Sequence, residues 1–338
     1  MTVFPNPSSR FVALDLTKGV LVVCMIVYHG LNYSTQRHVG FMLLPFLPPS
    51  FILITGFLIS HLYRPSAAAP GWRRTTRLLV RGIKLLALFT LLNVLAQLLV
   101  RERARGQMPD LATFWSNWFG TYVSGDGRLA VFEVLLPIAY LLLLAPILLW
   151  FDRCHRAYLP VLTVAVVATC ALVDANVGLW MNAQMWSAGL VGMVLGRLSD
   201  KNLKSLGRYR MFLLFAYIAY VAIELVLQRN FGYDYFLELL GAGLVLAIIY
   251  GFSVNLVPKG SVLKRLDLLG RYSLVSYILQ IGILQVFVRW QGRPEPTSPG
   301  FLTLLFGTLL LTIAAVEMIE WSRRRSAGIS LLYKAIFA

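Results

Sequence analysis

Charged residues are scarce in this sequence: they make up 14% of its 338 residues, whereas a soluble domain carries about 25%. The polar stretches between the apolar runs are also too short to form a soluble domain of their own. These two deficits exclude an ordinary soluble enzyme. Hydrophobic residues make up 58% of the chain, and this predicts an all-α, polytopic integral membrane protein.

Cysteine is rare and forms no recognisable motif. Cys24 and Cys170 lie in apolar runs and Cys154 in a short loop, without a CxxC pair, so a disulfide framework is not indicated. The chain also lacks GxxxxGK(S/T), GxGxxG, HExxH and GxSxG. ATP-driven transport, dinucleotide redox chemistry and zinc chemistry therefore have no sequence support, and we expect no metal and no bound cofactor.

Acidic residues are few: 15 Asp and Glu stand against 31 Lys and Arg, which gives a formal net charge of +16. A nucleic-acid-binding protein can show the same balance. Here, however, the bases occur in short runs between apolar stretches, as in loops that face anionic lipid. We therefore expect membrane lipids, and no nucleic acid, among the partners.

Ten apolar runs are long enough to cross about 30 Å of hydrocarbon. They form one domain over residues 1–321, followed by a short basic and amphipathic cytoplasmic tail over 322–338. The predicted spans are 14–33, 43–63, 78–99, 129–150, 157–174, 180–197, 211–228, 236–256, 272–290 and 301–321.

The positions of the bases predict the orientation in the membrane. With the N-terminus in the cytoplasm, most of the 31 lysines and arginines fall in inside segments, so both termini are expected inside. The apolar stretch after Arg10 is too long for a signal peptide and lacks a small-residue cleavage site. We expect this first helix to stay in the mature protein as a membrane anchor.

The longest outside loop, residues 101–128, contains PDLATFWSNWFGTYVSGDG. Its aromatic residues, Trp115 and Trp118 among them, are spaced to form an interfacial half-helix. One interpretation is an aromatic belt at the membrane surface. The other is a lid on which a sugar acceptor stacks.

Three polar residues stand out in the first span, RFVALDLTKGVLVVCMIVYHGLNY. Charged groups in hydrocarbon cost several kcal/mol on insertion scales, so such residues usually serve a function. Asp15 and Lys18 are three residues apart and can form an ion pair. His29 lies eleven residues, or three turns, beyond Lys18, which places both on one helix face about 16 Å apart. His29 is then either a packing residue or a general base, with Asn32 and Tyr33 one turn further along.

Other polar residues could belong to the same site. Thr55, followed by Gly56, lies mid-membrane in the second span, where such a pair usually serves helix packing. Glu133 begins the fourth span and could orient His29 or pair with Arg128. A group of basic residues at the cytoplasmic end of the second span suits lipid headgroups or the phosphates of a soluble donor. These residues are His61, Arg64, Arg73 and Arg74, with Arg77 following.

The first span resembles the opening helix of the acyltransferase 3 family and its transmembrane acyltransferase relatives, which include periplasmic-glucan succinyltransferases and the heparan-glucosaminide N-acetyltransferase group. The family pattern has a leading arginine, Leu-Asp, Arg-Gly and a histidine eleven residues after the second arginine. Here Arg10, Leu14-Asp15, Lys18-Gly19 and His29 match it. Lys18 replaces the usual arginine, which keeps the charge and loses the bidentate fork.

Three further stretches are similar to family motifs. FILITGFLI has Thr55 where the family's second helix has serine, and FEVLLPIAYLLLLAPILLW has Glu133 where glucan succinyltransferases have aspartate. LGRYSLVSYILQ, from Leu269 to Gln280, is similar to a late-helix G-x-x-S-L-x-x-Y pattern. Ten spans with both termini inside also match the family.

The resemblance implies a multi-pass protein of the bacterial cytoplasmic (inner) membrane. It also implies an acyl transfer across that membrane, in which an acetyl or succinyl-like group passes from cytoplasmic acyl-CoA, as co-substrate, to a hydroxyl of an exported glycan. His29 would be the general base or a transient acyl carrier, assisted by Asp15, Lys18 and Glu133. His61, Arg64, Arg73, Arg74 and Thr55 would bind the donor, and Asn32, Tyr33, Trp115 and Trp118 the acceptor.

Two other functions fit the same residues. In a transporter or flippase for an anionic or lipid-linked solute, Asp15, Lys18 and His29 would form a proton or substrate relay. In a non-catalytic scaffold of a polysaccharide-export assembly, the first-helix motif would be a remnant. Transfer of labelled acyl groups distinguishes the enzyme from both.

Overall fold

The structure is a computed structural model, and it describes residues 12–35, 44–63, 71–99, 102–103, 106–107, 110–126, 130–178, 180–226 and 235–337. Within these ranges the secondary structure is helical apart from a two-residue antiparallel ladder between β1 (Glu102–Arg103) and β2 (Gly106–Gln107). The helices, in chain order, are α1 (Val12–Asn32), α2 (Leu47–Tyr63), α3 (Gly71–Leu99), α4 (Leu111–Ser116), α5 (Leu135–Cys154), α6 (Tyr158–Val177), α7 (Met181–Leu195), α8 (Asp200–Val226), α9 (Tyr235–Ser253), α10 (Ser261–Arg271), α11 (Ser273–Gln291), α12 (Pro299–Arg325) and α13 (Ala327–Phe337).

Each of the ten predicted spans coincides with a helix. Among the described residues, eight helices are long and apolar enough to cross a membrane, which confirms the all-α polytopic class. The other two, α2 and α7, have 17 and 15 residues, fewer than the ~20 that a straight span needs. Helix α12 continues past residue 321 to Arg325, and the separate tail remains a prediction.

The two short helices pack on each other through glycine. A Cβ on Gly56 of α2 would overlap the carbonyl oxygen of Gly189 in α7, and a Cβ on Gly192 would overlap that of Leu53. Small residues allow two helices to approach closely in a membrane, where dispersion contacts replace the hydrophobic effect. The packing interpretation of Gly56 is therefore confirmed.

The amphipathic helix α10 was not predicted, because it is shorter and more polar than a span. It packs against the first half of α1, where a Cβ on Gly19 would overlap the carbonyl oxygen of Leu266, and one on Gly270 would overlap that of Asp15. The two glycines belong to the first-helix and late-helix motifs. Their contact brings the two motifs together.

Helices α6, α8 and α12 present large apolar side chains outward. Val164, Phe212 and Leu310 are 69%, 71% and 63% exposed. In a membrane-spanning protein, surfaces of this kind face lipid tails.

The C-terminal helix α13 is anchored by an aromatic and cationic cluster. The Arg323 guanidinium lies 3.9 Å from the ring centre of Tyr333 and donates to the hydroxyl of Tyr272, which also bonds Glu320. Lys84 of α3 donates to the carbonyl oxygen of Lys334. These contacts tie the tail to α3, α11 and α12.

Candidate active site

A cavity of about 190 Å³ lies between α1, α2, α3, α5 and α11. All four sequence stretches that resemble family motifs contribute to its wall. Lys18 comes from the first motif, Thr55 from the second, Leu135 from the third, and Ser273 and Tyr277 from the fourth. Residues from positions 18 to 277 thus surround one space, which makes this cavity the candidate active site.

One end of the cavity carries an ion pair. Lys18 Nζ lies 2.7 Å from Asp15 Oδ1, and the two side chains are only 18% and 14% exposed. This is the pair that their i, i+3 spacing predicts. Because each charge offsets the desolvation of the other, the pair can be held at the protein interior. Lys18 lines the cavity. Asp15 does not line it, but it contacts the Lys18 ammonium group.

His29 lies three turns further along α1 and contacts two tyrosines. Its ring centre is 5.3 Å from that of Tyr28 in an edge arrangement and 6.1 Å from that of Tyr277. His29 Nε2 is buried, and no described residue hydrogen-bonds to it. An imidazole nitrogen without a partner is free to accept a proton from a bound hydroxyl.

Tyr277 connects His29 to the cavity, and it was not selected from the sequence. It lines the cavity and packs edge-on against Phe132, with ring centres 5.8 Å apart. The carboxylate of Glu133 is within electrostatic range of its phenol. The signal that could have identified Tyr277 is its place as the tyrosine of the late-helix motif LGRYSLVSYILQ.

The segment that carries Glu133 is clamped by Asn93 of α3. The Asn93 side-chain amide donates to the carbonyl oxygen of Val131 (2.8 Å), and its oxygen accepts from the Val131 backbone N–H (2.6 Å). Asn93 is fully buried. Phe132, the next residue, has a φ of 61°, a left-handed conformation that is strained for a bulky side chain. The clamp therefore holds Phe132 and Glu133 beside Tyr277.

A comparison with known families agrees with these motifs. The sequence model of the family Acyl_transf_3, described as an acyltransferase domain, matches residues 11–317. The chain belongs to the acyltransferase 3 family. Neither the curated proteins nor the solved structures contain a match. Family membership and the eight candidate spans together make the protein a multi-pass membrane acyltransferase.

Among the described residues that were expected to bind the donor in this acyltransferase 3 protein, Thr55 alone lines the cavity. Its hydroxyl donates to the Phe51 carbonyl oxygen (2.8 Å). The His61 ring stacks on Phe57 and has Nδ1 3.2 Å from the Gly196 carbonyl oxygen, so it packs against the end of α7. Arg73 and Arg74 begin α3, exposed and half-buried respectively. Arg64 lies outside the described residues, as do Arg10 and Arg128.

The predicted acceptor residues of the acyltransferase 3 protein fall into two places. Asn32 is the last residue of α1, and the hydroxyl of Tyr33 just after it accepts from Gln285 Nε2. Trp115 and Trp118 are about half exposed, at 49% and 58%. Neither tryptophan lines the cavity.

The aromatic segment is helical, as predicted. Asp110 caps the first turn of α4 by accepting from the Thr113 backbone N–H, and this bonding lowers the pKa of its carboxyl. A π-helix follows over Phe119–Ser124. Two neighbouring helices hold this π-helix, because Tyr140 of α5 and Asn182 of α7 both donate to the Tyr122 carbonyl oxygen.

Proposed function

We propose that this acyltransferase moves an acetyl or succinyl-like group from cytoplasmic acyl-CoA to a hydroxyl of an exported glycan, in the inner membrane of a bacterium. The observation that carries the proposal is the convergence of the four motif stretches on one cavity. Lys18 and Tyr277 both line the cavity, and His29 packs against Tyr277 from outside its wall. The proposal has the donor approach on the Lys18 side and the acceptor on the His29 side.

The donor would enter beside the Asp15–Lys18 pair. The ~16 Å along α1 from Lys18 to His29 is of the order of an extended pantetheine arm, so a threaded thioester fits the spacing. The lysine ammonium is a compact charge that can hold an anionic or carbonyl oxygen of the donor. The bases of α3, Arg73 and Arg74, would contact the phosphates of the CoA moiety at the membrane surface.

At the other end, His29 would act on the acceptor. Its Nε2 takes the proton of the glycan hydroxyl while the hydroxyl oxygen attacks the thioester carbonyl carbon. The carbon–sulfur bond breaks, and the proton passes to the sulfur, so that the products are the glycan ester and free CoA thiol. In the second possible route, the imidazole nitrogen first takes the acyl group and then passes it to the hydroxyl.

Tyr277 and Glu133 would position this chemistry. The Tyr277 ring packs on the His29 ring, so it limits the orientations that the imidazole can adopt. The Glu133 carboxylate, which is within electrostatic range of Tyr277, would accept a hydrogen bond from a second hydroxyl of the sugar. Asn32 and Tyr33, at the end of α1, would contact the same sugar.

The test is transfer of radiolabelled acetyl or succinyl groups from the CoA thioester by purified full-length protein, with mass spectrometry of surface glycans from the source strain. We expect His29→Gln to lower transfer by about 10²- to 10⁴-fold, the usual contribution of a general base. His155→Gln is the matched control, because His155 is exposed at the end of α5 and should leave transfer unchanged.

Full acylation by His29→Gln at equal protein level would contradict the role of His29. Solute counterflow without any acyl transfer would contradict the enzyme and favour the transporter. Labelled acyl group retained on wild-type protein, and absent from His29→Gln, would favour the acyl-carrier route.

A further inference from the structure

A second and larger cavity lies on the other side of the contact between α1 and α2. Its volume is about 460 Å³, and it is bounded by α1, α2, α7, α8 and α9. The wall consists of apolar side chains such as Phe57, Leu203 and Leu240, with Thr17 and Tyr250 as the two exceptions. The Thr17 hydroxyl already donates to the Ala13 carbonyl oxygen (2.7 Å). This cavity is suited to an alkyl chain and to little else.

The two cavities share one wall residue. Of the described residues, Ile54 alone lines both. On α1, Thr17 faces the apolar cavity and Lys18 the candidate active site. On α2, Leu53 lines the apolar cavity and Thr55 lines the candidate active site. Ile54 lies between these two residues and is 4% exposed. The side chain of Ile54 therefore lies between the candidate active-site cavity, whose wall includes the polar side chains of Lys18 and Thr55, and the apolar cavity.

The two cavities differ in size. The active-site cavity has a volume of about 190 Å³ and the apolar cavity one of about 460 Å³. The smaller cavity suits a short acyl group such as acetyl or succinyl, and an opening in the partition formed by Ile54 would more than triple the space that an acyl chain can occupy.

We propose that Ile54 is the residue that determines acyl-chain length, because it closes the active-site cavity to alkyl chains that would otherwise extend into the apolar cavity. The inference rests on the proposed function, since it concerns the acyl group that is transferred. Replacing isoleucine by alanine removes three carbon atoms from the partition. One methylene of difference in an apolar pocket is worth roughly 10- to 200-fold in discrimination, so this change should alter donor preference strongly.

The experiment compares acetyl-, butyryl-, octanoyl- and decanoyl-CoA as labelled donors for the full-length protein in proteoliposomes. For wild type, we expect kcat/KM to fall steeply from the short to the medium-chain donors. For Ile54→Ala, the ratio of kcat/KM for octanoyl-CoA to that for acetyl-CoA should rise at least about tenfold. Ile54→Val, which removes one carbon, should give a smaller rise in kcat/KM relative to acetyl-CoA, and this rise should be greatest for butyryl-CoA. This variant replaces Ile54→Ala in the test if the alanine variant does not fold.

Ile52→Ala is the matched control. Ile52 is on the same helix and fully buried, but it packs towards Gly189 of α7 and lines neither cavity. It should lower stability as Ile54→Ala does and leave the chain-length ratio at the wild-type value. An equal rise in this control would overturn the inference, because general loosening of α2 would then explain it.

Two further outcomes separate this inference from the proposed function. Wild-type transfer of acetyl groups with an unchanged chain-length ratio in both Ile54 variants would overturn the role of Ile54 and leave the acyl transfer standing. A wild-type preference for decanoyl-CoA would also overturn it, because Ile54 would then exclude nothing. Absence of transfer from every donor would overturn the proposed function and the inference together.

Discussion

Lys18 is the residue at which this chain departs from the family's first-helix pattern. In the structure it keeps two features: an ion pair with Asp15 and a place in the cavity wall. The ammonium group is 2.7 Å from the Asp15 carboxylate and contributes to the cavity wall. A lysine keeps the charge needed for the pair, but it offers a point charge where arginine offers a planar fork. Lys18 therefore forms the pair with Asp15, but it cannot make the two parallel hydrogen bonds to one ligand that an arginine can make.

Removing the charge of Lys18 takes away the cation that lies 2.7 Å from the carboxylate of Asp15, at a mostly buried position. We expect Lys18→Met to lower the free energy of unfolding by about 1–3 kcal/mol, between the values for exposed and fully buried pairs. Acyl transfer should fall by more than the smaller fraction of folded protein explains. Thermal unfolding in detergent and kcat/KM for acyl-CoA measure the two effects.

Lys18→Arg is the conservative counterpart and should retain both stability and transfer. In the double variant Asp15→Asn, Lys18→Met, the loss of stability should be smaller than the sum of the single losses, because each single variant already removes the interaction between the two side chains. A strictly additive result would show that the pair contributes no coupling energy.

At the scale of elements, the site depends on helices that approach through glycine and on one side-chain clamp. Gly19 and Gly270 bring α1 and α10 into contact, and Gly56 and Gly192 do the same for α2 and α7. Asn93 of α3 holds the segment before α5 by two hydrogen bonds to Val131. Since Phe132 follows in a strained conformation, this segment would relax without the clamp.

The variant Asn93→Leu tests how much the two hydrogen bonds between Asn93 and Val131 contribute to stability and to acyl transfer. It leaves the Val131 N–H and C=O without the Asn93 amide, and an unsatisfied buried group costs about 1–3 kcal/mol. We expect a loss of stability of that size. The kcat for acyl transfer should fall, and the KM for the donor should change less, because Glu133 and Tyr277 lose their relative position. Asn176→Leu is the control: Asn176 is exposed and donates only to the Leu172 carbonyl oxygen of its own helix.

Equal kcat values for Asn93→Leu and wild type, at a temperature where both are folded, would refute the positioning role. The stability loss alone would then describe Asn93 as a structural residue.

At the scale of the whole molecule, the apolar helices determine how the chain sits in a bilayer, and the basic residues predict its direction. Helices with outward-facing apolar side chains surround an interior built from α1, α2, α5 and α7. The Lys18 end of α1 lies on the side where basic loops are expected, and His29 lies towards the other side. The proposed route of the acyl group depends on this orientation.

We expect both termini in the cytoplasm, because basic residues concentrate in the segments on that side. A reporter that is active only in the cytoplasm should be active when fused to Ala338 and inactive when inserted in the 101–128 loop. A phosphatase reporter that is active only outside should give the reverse pattern. Activity of the phosphatase at Ala338 would invert the predicted direction of acyl transfer.

Much of the fold could be predicted because a membrane imposes local rules. A span must be apolar over about 20 residues, so ten helices were visible as runs, and α2 and α7 were predicted although they are short. The Asp15–Lys18 pair was predictable for the same reason: its partners are three residues apart on one helix, and helix geometry alone brings them together. Helix α10 was missed because an amphipathic helix of 11 residues gives no such run.

The amino-acid sequence by itself thus determined the membrane class, the helices, the first-helix ion pair and the resemblance of four stretches to family motifs. Only the tertiary structure decided that these stretches meet: Lys18 and Tyr277 are separated by more than half of the chain and line one cavity. It also decided that Asn93 holds Val131 and that Ile54 stands between two cavities. The reason is physical. Contacts within a helix follow from its pitch, whereas contacts between helices depend on how closely and at what angle they pack, and here glycines on one helix against backbone on the next set that distance.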